Sequence, residues 1–490
     1  RSKFIKILRK YLPAENNFSV GSALILGYKD EISEEVQTAF AETGAMHVLA
    51  VSGLHVGIIY LILQILFVNR IKSFHPFWKW MKVIIPILGI WTFALLTGMS
   101  PSVKRAATMF SIFILGTALS RRKYSYNILA GSAFLILWVN PFLIMNVGFQ
   151  LSYMAVFGIL YFQPRIAKIW LIKNKIGNYF WQLSAVSIAA QLGTAPLGLF
   201  YFHQFPFYFL FSGLIVIPAA FLILCLGLAL FLLESIYGGL GMTIGWVLNG
   251  LIEGVNWAIF MLQNMPGSVA KGIWISGAIA FLIYLIIGKT AIAFETKNFK
   301  WILGALSILT IIGINYSFSK YRIFNNRKMV VYHVNKASAI DFFDGNDLIS
   351  LTSKGIDEKN LNFAVQNNRW AEGSPEIQSF HFEDSTTHVL DTWMFKENFI
   401  QFYDKRIAVI DEPPNYSEDA FIEVDYLIIR NNPKLKIESL LNHFSFELLI
   451  FDASNKFWQV EDWEQECHEL EVPFYNIHDH GAFILDLNKS

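Results

Sequence analysis

Polar side chains interrupt an otherwise apolar stretch between residues 43 and 68. They are His47, Ser52 and His55. If the stretch is helical, Ser52 and His55 share one face because they are three residues apart. Such groups permit hydrogen bonds to a neighbouring helix, a lining for the path of a polar solute, or nucleophilic attack by the serine. The chain has no G-x-S-x-G elbow and offers the pair no acidic third member, which disfavours a serine hydrolase.

A second pair of polar residues, Lys104 and Arg105, stands at the start of another apolar run. Pro101 and Ser102 precede it and favour a helix N-terminus there, and the free N–H groups of such a terminus attract anions. Snorkelling of both cations to lipid headgroups explains the pair equally well. The functional hypothesis is a phosphate contact at the mouth of a pore.

Two glutamines enter apolar runs as well. Gln150 lies in the string Gly-Phe-Gln-Leu-Ser that begins at Gly148, and Gln191 precedes Pro196. Polar amides are costly in hydrocarbon unless they find partners. They therefore either bond between helices or line a polar path. The aromatic loop at 200–205 is either an interfacial belt or a surface for stacking bases.

Membrane helices must position these residues. Hydrophobic residues make up 54% of the 490 residues and charged residues only 16%, whereas charged residues are about 25% of a soluble protein. We predict a polytopic α-helical membrane bundle of about ten spans, some of them broken. The spans lie near 46–69, 83–97, 103–120, 126–140, 147–163, 180–200, 207–233, 241–263, 270–288 and 301–318.

The basic residues predict an orientation for this bundle. They cluster near 70–82, 121–123, 165–175 and 289–300. With the predicted spans these clusters fall on one side of the membrane, and the positive-inside rule makes that side cytoplasmic. The same parity places the chain after residue 319 outside the cytoplasm.

A polar, strand-forming composition begins near residue 328. Short runs that favour strands alternate with polar turns, which indicates a soluble α/β domain. The sequence therefore divides into an incomplete N-terminal segment with an interfacial helix at 1–42, a transmembrane channel domain at 43–320, and a soluble domain at 328–490.

The polar strings, taken together, resemble the ComEC family, the inner-membrane DNA channels of natural transformation. They occur in the family's order over roughly residues 20 to 290. The resemblance implies a competence channel domain in the bacterial inner membrane that carries single-stranded DNA. The matching residues are His47 with 51–57, then Ser102, Arg105 and Ala106, then Asn140, Pro141 and 148–152, and finally Gln191, Thr194, Pro196 and Phe205.

The soluble domain is similar in outline to the metallo-β-lactamase-like domain that ends many members of this family. Segment 331–345 takes the place of the opening strands, and 424–432 and 447–455 take the place of later ones. The family's metal-binding string His-x-His-x-Asp-His has no counterpart. Only His478 and His480 resemble a ligand pair, since alternate residues of a strand share a face. We therefore expect a domain without metal, without cofactor and without hydrolase activity.

The sequence thus predicts a channel that passes single-stranded DNA into the cytoplasm. The chain has no G-x-x-x-x-G-K-[ST] loop, so a cytoplasmic ATP-driven motor is an expected partner, besides membrane lipid and external DNA-binding competence proteins. Two alternatives stay open: a membrane-bound phosphodiesterase or nuclease with an active C-terminal domain, and a transporter of another polyanion. The predicted pore residues are His47, Ser52, His55, Lys104, Arg105, Gln150 and Gln191.

Overall fold

The fold is that of a computed structural model, which describes residues 1–49, 51–70, 76–119, 124–234, 238–373, 376–384, 387–413 and 421–487. The chain divides into two units, Arg1–Ala305 (unit 1) and Leu306–Ser490 (unit 2). Each unit has its own buried apolar core.

Unit 1 is helical, as its apolar runs predict. One helix, α14, runs across the boundary into unit 2. The first nine helices are α1 (Ser2–Tyr11), α2 (Glu15–Leu26), α3 (Glu34–Glu42), α4 (Met46–Leu49), α5 (Gly53–Leu66), α6 (Pro76–Leu96), α7 (Pro101–Ala118), α8 (Ser125–Val139) and α9 (Val147–Ile166). They are followed by α10 (Lys175–Phe202), α11 (Phe209–Leu233), α12 (Gly238–Gln263), α13 (Gly277–Thr296) and α14 (Phe299–Phe324), with 3₁₀ turns at Val68–Arg70 and Pro141–Met145 and a strand pair β1 (Gln204–Pro206) and β2 (Val269–Lys271).

Five helices of the described chain, α10 to α14, are long and apolar enough to cross a membrane. They confirm a helical membrane region, while the count of ten spans stays a prediction. With 14 and 15 residues, α5 and α8 are shorter than the ~20 residues that a bilayer requires. The prediction of one continuous segment at 46–69 is wrong, because α4 ends at Leu49 and α5 begins at Gly53.

The first residues of the chain pack into this bundle. Helix α2 is buried along nearly its whole length and shares a core with α11 and α12. Asn17 on α2 donates a hydrogen bond to Asn249 at 3.1 Å and accepts one from Asn256 at 3.0 Å. Asn17 and Asn256 are buried and Asn249 is half-buried, so these two bonds tie α2 to α12 in a largely water-free setting.

Helices α9 and α10 form a very close pair. A Cβ atom on Gly158 would meet the carbonyl oxygen of Ala189, and one on Gly193 would meet the carbonyl oxygen of Met154. Glycine at both positions lets the two backbones approach, as is usual where membrane helices pack closely.

Unit 2 is rich in strands, as predicted. Its helices are α15 (Glu358–Ala371), α16 (Ile437–Leu441), α17 (Phe457–Glu469) and α18 (Ile477–His480). Its strands are β3 (Arg327–Val331), β4 (Ala339–Asp344), β5 (Asp347–Thr352), β6 (Glu376–His381), β7 (His388–Val389), β8 (Trp393–Lys396), β9 (Phe399–Phe402), β10 (Lys405–Ile410), β11 (Ile422–Glu423), β12 (Tyr426–Ile429), β13 (Phe444–Ser445), β14 (Leu448–Phe451), β15 (Phe474–Asn476) and β16 (Phe483–Asp486).

Two sheets of unit 2 pack face to face. Their strand orders are β16-β3-β4-β5-β6 and β15-β14-β12-β10-β9-β8-β7, and β10, β12, β14 and β15 run parallel. Side chains alternate between the faces of each strand. Met329 of β3, for example, enters the core between the sheets, while Val330 packs with α15 on the outer side. Helices α16 and α17 cover the outer face of the other sheet, so the unit has four layers.

A buried ion pair attaches α15 to its sheet. Nε and Nη2 of Arg369 each donate to a carboxylate oxygen of Asp341 at 2.8 Å, and Nη2 also donates to Ser350 Oγ at 2.7 Å. All three residues are buried. Breaking such a pair leaves an uncompensated charge in a medium of low polarity, which costs about 3–5 kcal/mol.

We expect Arg369→Ala to lower the free energy of unfolding of unit 2 by about 3–5 kcal/mol. The rate of thiol labelling of Cys467, which is fully buried in unit 2, measures this in urea on the solubilised chain with Cys225 replaced by serine. Arg327→Ala is the matched control. It removes an exposed cation 3.8 Å from Asp344 and should cost less than about 1 kcal/mol. Equal losses in the two variants would contradict the assignment.

Candidate functional site

The break between α4 and α5 is the centre of the candidate site. Ser52 caps α5: its Oγ accepts a hydrogen bond from the Leu54 N–H at 3.3 Å, and His55 Nδ1 accepts one from the Ser52 N–H at 3.2 Å. These bonds satisfy N–H groups that a helix start leaves free. Ser52 lies at the N-cap and not within a helix, so the condition under which it would share a helical face with His55 is not met. Ser52 contacts His55, with 3.2 Å between Oγ and Nδ1, because it caps the helix.

Arg105 on α7 lies directly against this break. Its Nη1 donates a hydrogen bond to the backbone carbonyl of Ser152 on α9, and its Nη2 is 3.1 Å from the point where a Cβ on Gly53 would stand. Its Cζ is 5.8 Å from the centre of the Tyr153 ring, and the residue is only 6% exposed. The missing side chain of Gly53 thus makes room for the guanidinium beside the first turn of α5.

The site carries positive charge and unused hydrogen-bond donors. The N-terminus of α5 contributes a partial positive charge, and the Arg105 guanidinium a full one. Because Nδ1 of His55 accepts a hydrogen bond, its Nε2 carries the ring proton. Within the described residues, His55 Nε2 and Arg105 Nε have no hydrogen-bond partner. Donors of this kind beside a helix N-terminus suit an oxygen anion such as phosphate.

Gln150 connects the next two helices beside this site. Its Nε2 donates a hydrogen bond to the Ile144 carbonyl at 2.9 Å, and its Oε1 accepts one from the Tyr201 hydroxyl at 2.8 Å. Tyr201 lies on α10, so the amide joins α9 to α10. Of the two readings from the sequence, the observed bonds match the one in which the glutamine ties helices together.

The other three predicted pore residues lie apart from the Arg105 contacts. His47 is exposed on α4, with Nδ1 at 3.0 Å from the Gly44 carbonyl oxygen. Lys104 and Gln191 are half-buried, on α7 and α10. No side-chain contact within the described residues joins any of the three to the Arg105 guanidinium, so their place in a pore stays a prediction.

A groove of about 300 Å³ runs along the same helices. It begins one helical turn after Arg105 on α7, at Met109, and its size is within the range of small-molecule pockets. Sequence reasoning missed this groove, although the spacing of Phe110 and Phe113 on one helix is a usable signal. The lining residues are Tyr60, Met109, Phe110, Phe113, Ser125, Ile128 and Leu160.

Unit 2 gathers a second set of polar residues at the carboxyl ends of its parallel strands. Arg430, after β12, is buried, and its Nη2 lies 2.8 Å from a Glu383 oxygen and 3.5 Å from an Asp411 oxygen. Asp452, after β14, is also buried, and burial raises the pKa of its carboxyl. Open α/β sheets usually bind ligands at this edge. Here the buried guanidinium occupies it.

His478 and His480 lie at the same edge, but in the short helix α18 and not in a strand. Asn476 begins this helix by accepting the His478 N–H at 2.8 Å. Nε2 of His478 is 2.9 Å from the Asn455 carbonyl oxygen, and Nδ1 of His480 is 3.2 Å from that of Asn476. The prediction that the two imidazoles share a strand face is therefore wrong. In the described parts of the chain, no three His, Cys, Asp or Glu side chains form a group that fits a metal ion.

Two family models match the chain. The model described as Competence protein covers residues 24–297, and the model described as ComEC C-terminal domain covers residues 329–487. The chain belongs to the ComEC family. Membership in the ComEC family and the apolar helices α10 to α14 fit a multi-pass inner-membrane protein of competence and DNA uptake.

Two curated relatives align with part of the chain. The ComE operon protein 3 of Bacillus subtilis (strain 168) is 31% identical over 222 residues, which are 44% of this chain and 26% of the relative. An uncharacterized protein of Aquifex aeolicus (strain VF5) is 31% identical over 181 residues, which are 36% of this chain and 39% of the relative. The chain therefore matches well under half of the length of either relative. No solved structure matches it.

We expect Gly53→Ala to reduce DNA import by about 2–10-fold. The added Cβ would stand 3.1 Å from Arg105 Nη2, so the guanidinium must shift by a few tenths of an ångström, which weakens its hydrogen bond to the Ser152 carbonyl by about 0.5–1.5 kcal/mol. Transformation frequency, normalised to the amount of protein in the membrane, measures the loss. Gly116→Ala on α7 is the control, because nothing lies within 4 Å of its Cβ position. Equal frequencies in both variants would refute the role of Gly53.

Proposed function

We propose that unit 1 translocates single-stranded DNA across the bacterial inner membrane into the cytoplasm during natural transformation. The observation that carries this proposal is the Arg105 guanidinium at the capped break before α5. An ionisable group inside a membrane domain is costly unless it serves a polar cargo or pathway. DNA backbone phosphates are the cargo that fits a guanidinium packed against a helix N-terminus whose first turn also carries an imidazole N–H.

A channel must bind each phosphate only briefly. Arg105 already donates a hydrogen bond to the Ser152 carbonyl. A passing phosphate must therefore compete with this carbonyl for the guanidinium, which limits how tightly it binds. Conduction requires sites that are attractive enough to enter and weak enough to leave. The shared guanidinium meets this requirement, whereas a fully free arginine would hold the strand.

The aromatic groove beside Arg105 gives the bases a surface. Tyr60, Phe110 and Phe113 line it, and stacking on such rings is independent of base identity. A phosphate site and a stacking surface one helical turn apart are the combination that single-stranded nucleic acid uses on proteins. We propose that the strand passes Arg105 and then this groove.

For the rest of the uptake system we propose a cytoplasmic ATP-driven motor and external DNA-binding competence proteins as partners. The motor is needed because the chain contains no phosphate-binding loop for nucleotide. We also propose that unit 2 has a metallo-β-lactamase-like fold, lies outside the cytoplasm and guides DNA without hydrolysing it. Support comes from its four layers and from Arg430, which occupies the edge where ligands usually bind.

Arg105→Ala and His55→Ala should each reduce entry of labelled DNA into the cytosol by about 10–100-fold, since each removes a hydrogen bond of about 1.5–3 kcal/mol to a phosphate. DNA bound at the cell surface should not change. Arg165→Ala is the control, because Arg165 is exposed and paired with Glu295. Normal import by the Arg105 variant would show that the strand takes another path. Loss of surface binding in that variant would show an indirect effect.

The purified chain should leave single-stranded and duplex DNA intact in Mg²⁺, Mn²⁺ or Zn²⁺, because the His, Cys, Asp and Glu side chains of the described residues form no group that could hold a metal ion and activate its bound water. Gel analysis of end-labelled DNA measures this. Metal-dependent cleavage that disappears in a His478→Ala/His480→Ala variant would favour the nuclease alternative instead.

A further inference from the structure

Two large aromatic rings project from the start of α17 in unit 2. Phe457 is 59% exposed and Trp458 is 57% exposed. The Nζ of Lys456 lies 5.7 Å from the centre of the Trp458 ring. Aromatic rings of this size usually bury 150–250 Å². A neighbouring exposed pair with a cation beside it is typical of a binding surface.

The rings continue across the carboxyl edge of the unit. The centre of the Phe457 ring is 6.4 Å from that of His478, which is 5.4 Å from that of His333 after β3. Burial and the neighbouring His478 lower the pKa of His333, so its imidazole stays neutral at pH 7. We call Trp458, Phe457, His478 and His333 the aromatic row.

Interlocked turns hold the aromatic row in place. The Asn432 N–H donates to Asn455 Oδ1 at 2.9 Å, and the Lys456 N–H donates back to Asn432 Oδ1 at 2.5 Å. The Asn431 N–H donates to Ser454 Oγ at 2.9 Å. The loop that presents Phe457 and Trp458 is thus fixed before any ligand arrives, which reduces the entropy lost on binding.

Four lysines lie on the segments that carry or anchor the aromatic row, and within the described residues they have no carboxylate partner. Lys336, Lys434, Lys436 and Lys456 are exposed, and no salt bridge within the described residues involves them. Some other cations of unit 2 are paired with carboxylates, for example Lys328 with Glu372 and Arg369 with Asp341. The unpaired positive charge of this corner is therefore available to an anionic ligand.

We propose that the aromatic row and its four lysines bind single-stranded DNA, with bases on Phe457 and Trp458 and phosphates on the lysines. The proposal rests on the proposed function, for which it supplies a docking site on unit 2. Exposed ring faces require unpaired bases, since a duplex keeps its bases stacked internally. A membrane surface is the less suitable occupant. The rings lie among backbone amides and histidines and do not form the broad apolar face that an interfacial anchor needs.

Binding of a fluorescein-labelled oligo-dT of about 20 nucleotides to the full chain in detergent micelles tests this proposal. The Phe457→Ser/Trp458→Ser variant should raise the Kd by about 10–100-fold, because stacking is worth about 1–3 kcal/mol per base. Phe363→Ser is the control, since Phe363 is 88% exposed on α15, away from the row. An unchanged Kd in the double variant would overturn the proposal.

Salt dependence tests the lysines separately. In a Lys434→Gln/Lys436→Gln/Lys456→Gln variant the slope of log K against log salt should fall by about 2, since each phosphate contact on a single strand contributes about 0.7. Lys396→Gln, at an exposed position of β8, should leave the slope unchanged. Preferential binding of duplex DNA, or loss of binding to anionic phospholipid vesicles with no change in oligo-dT binding, would overturn the assignment to single strands.

The Arg105→Ala variant separates this site from the channel. It should lose import, whereas the tight binding of oligo-dT should still depend on Phe457 and Trp458, because the channel holds each phosphate only briefly. If Arg105→Ala imports DNA normally while the aromatic-row variant still loses oligo-dT binding, the channel assignment fails and the docking site stands. If the aromatic-row variant keeps its affinity while Arg105→Ala blocks import, the reverse holds.

Discussion

The structure of unit 1 depends on how the break before α5 is capped. A helix start leaves N–H groups without partners, and an unsatisfied group in hydrocarbon costs several kcal/mol. Ser52 and His55 satisfy two of them, and Ser102 donates to the Val51 carbonyl at 2.9 Å. The polar residues of this stretch therefore have a structural task first. The same break opens the space beside Gly53 that the Arg105 guanidinium occupies.

Small residues extend this arrangement through the bundle. Gly53 admits Arg105 between α5 and α7, and the Gly158 and Gly193 pair brings α9 against α10. Arg105 then reaches the backbone of α9, while Gln150 joins α9 to α10. Close backbone approach and polar cross-links depend on each other, because a cross-link of fixed length forms only where the helices are near enough.

In unit 2, buried polar and charged side chains lie at the carboxyl ends of the parallel strands. Its parallel strands end at one edge, where backbone and side-chain polar groups accumulate. Arg430 pairs with Glu383 and Asp411 inside this edge, while its Nε and Nη1 have no hydrogen-bond partner within the described residues. On the outside of this edge, hydrogen-bonded turns hold the loop that presents Phe457 and Trp458. The buried arginine and the exposed aromatic rings at this edge support the proposal that unit 2 docks a polymer.

Composition, hydrophobic periodicity and short motifs were enough to predict a helical unit 1, a strand-rich unit 2 and the resemblance to the ComEC family, because these are local properties of the sequence. It did not determine that Ser52 caps a helix, since 46–69 is equally compatible with a continuous one. It also predicted a strand for His478 and His480, which instead lie in a short helix that begins at the Asn476 cap. Only the tertiary structure brought the Arg105 guanidinium to Gly53. Contacts between distant segments depend on how whole helices pack, and no local pattern records that.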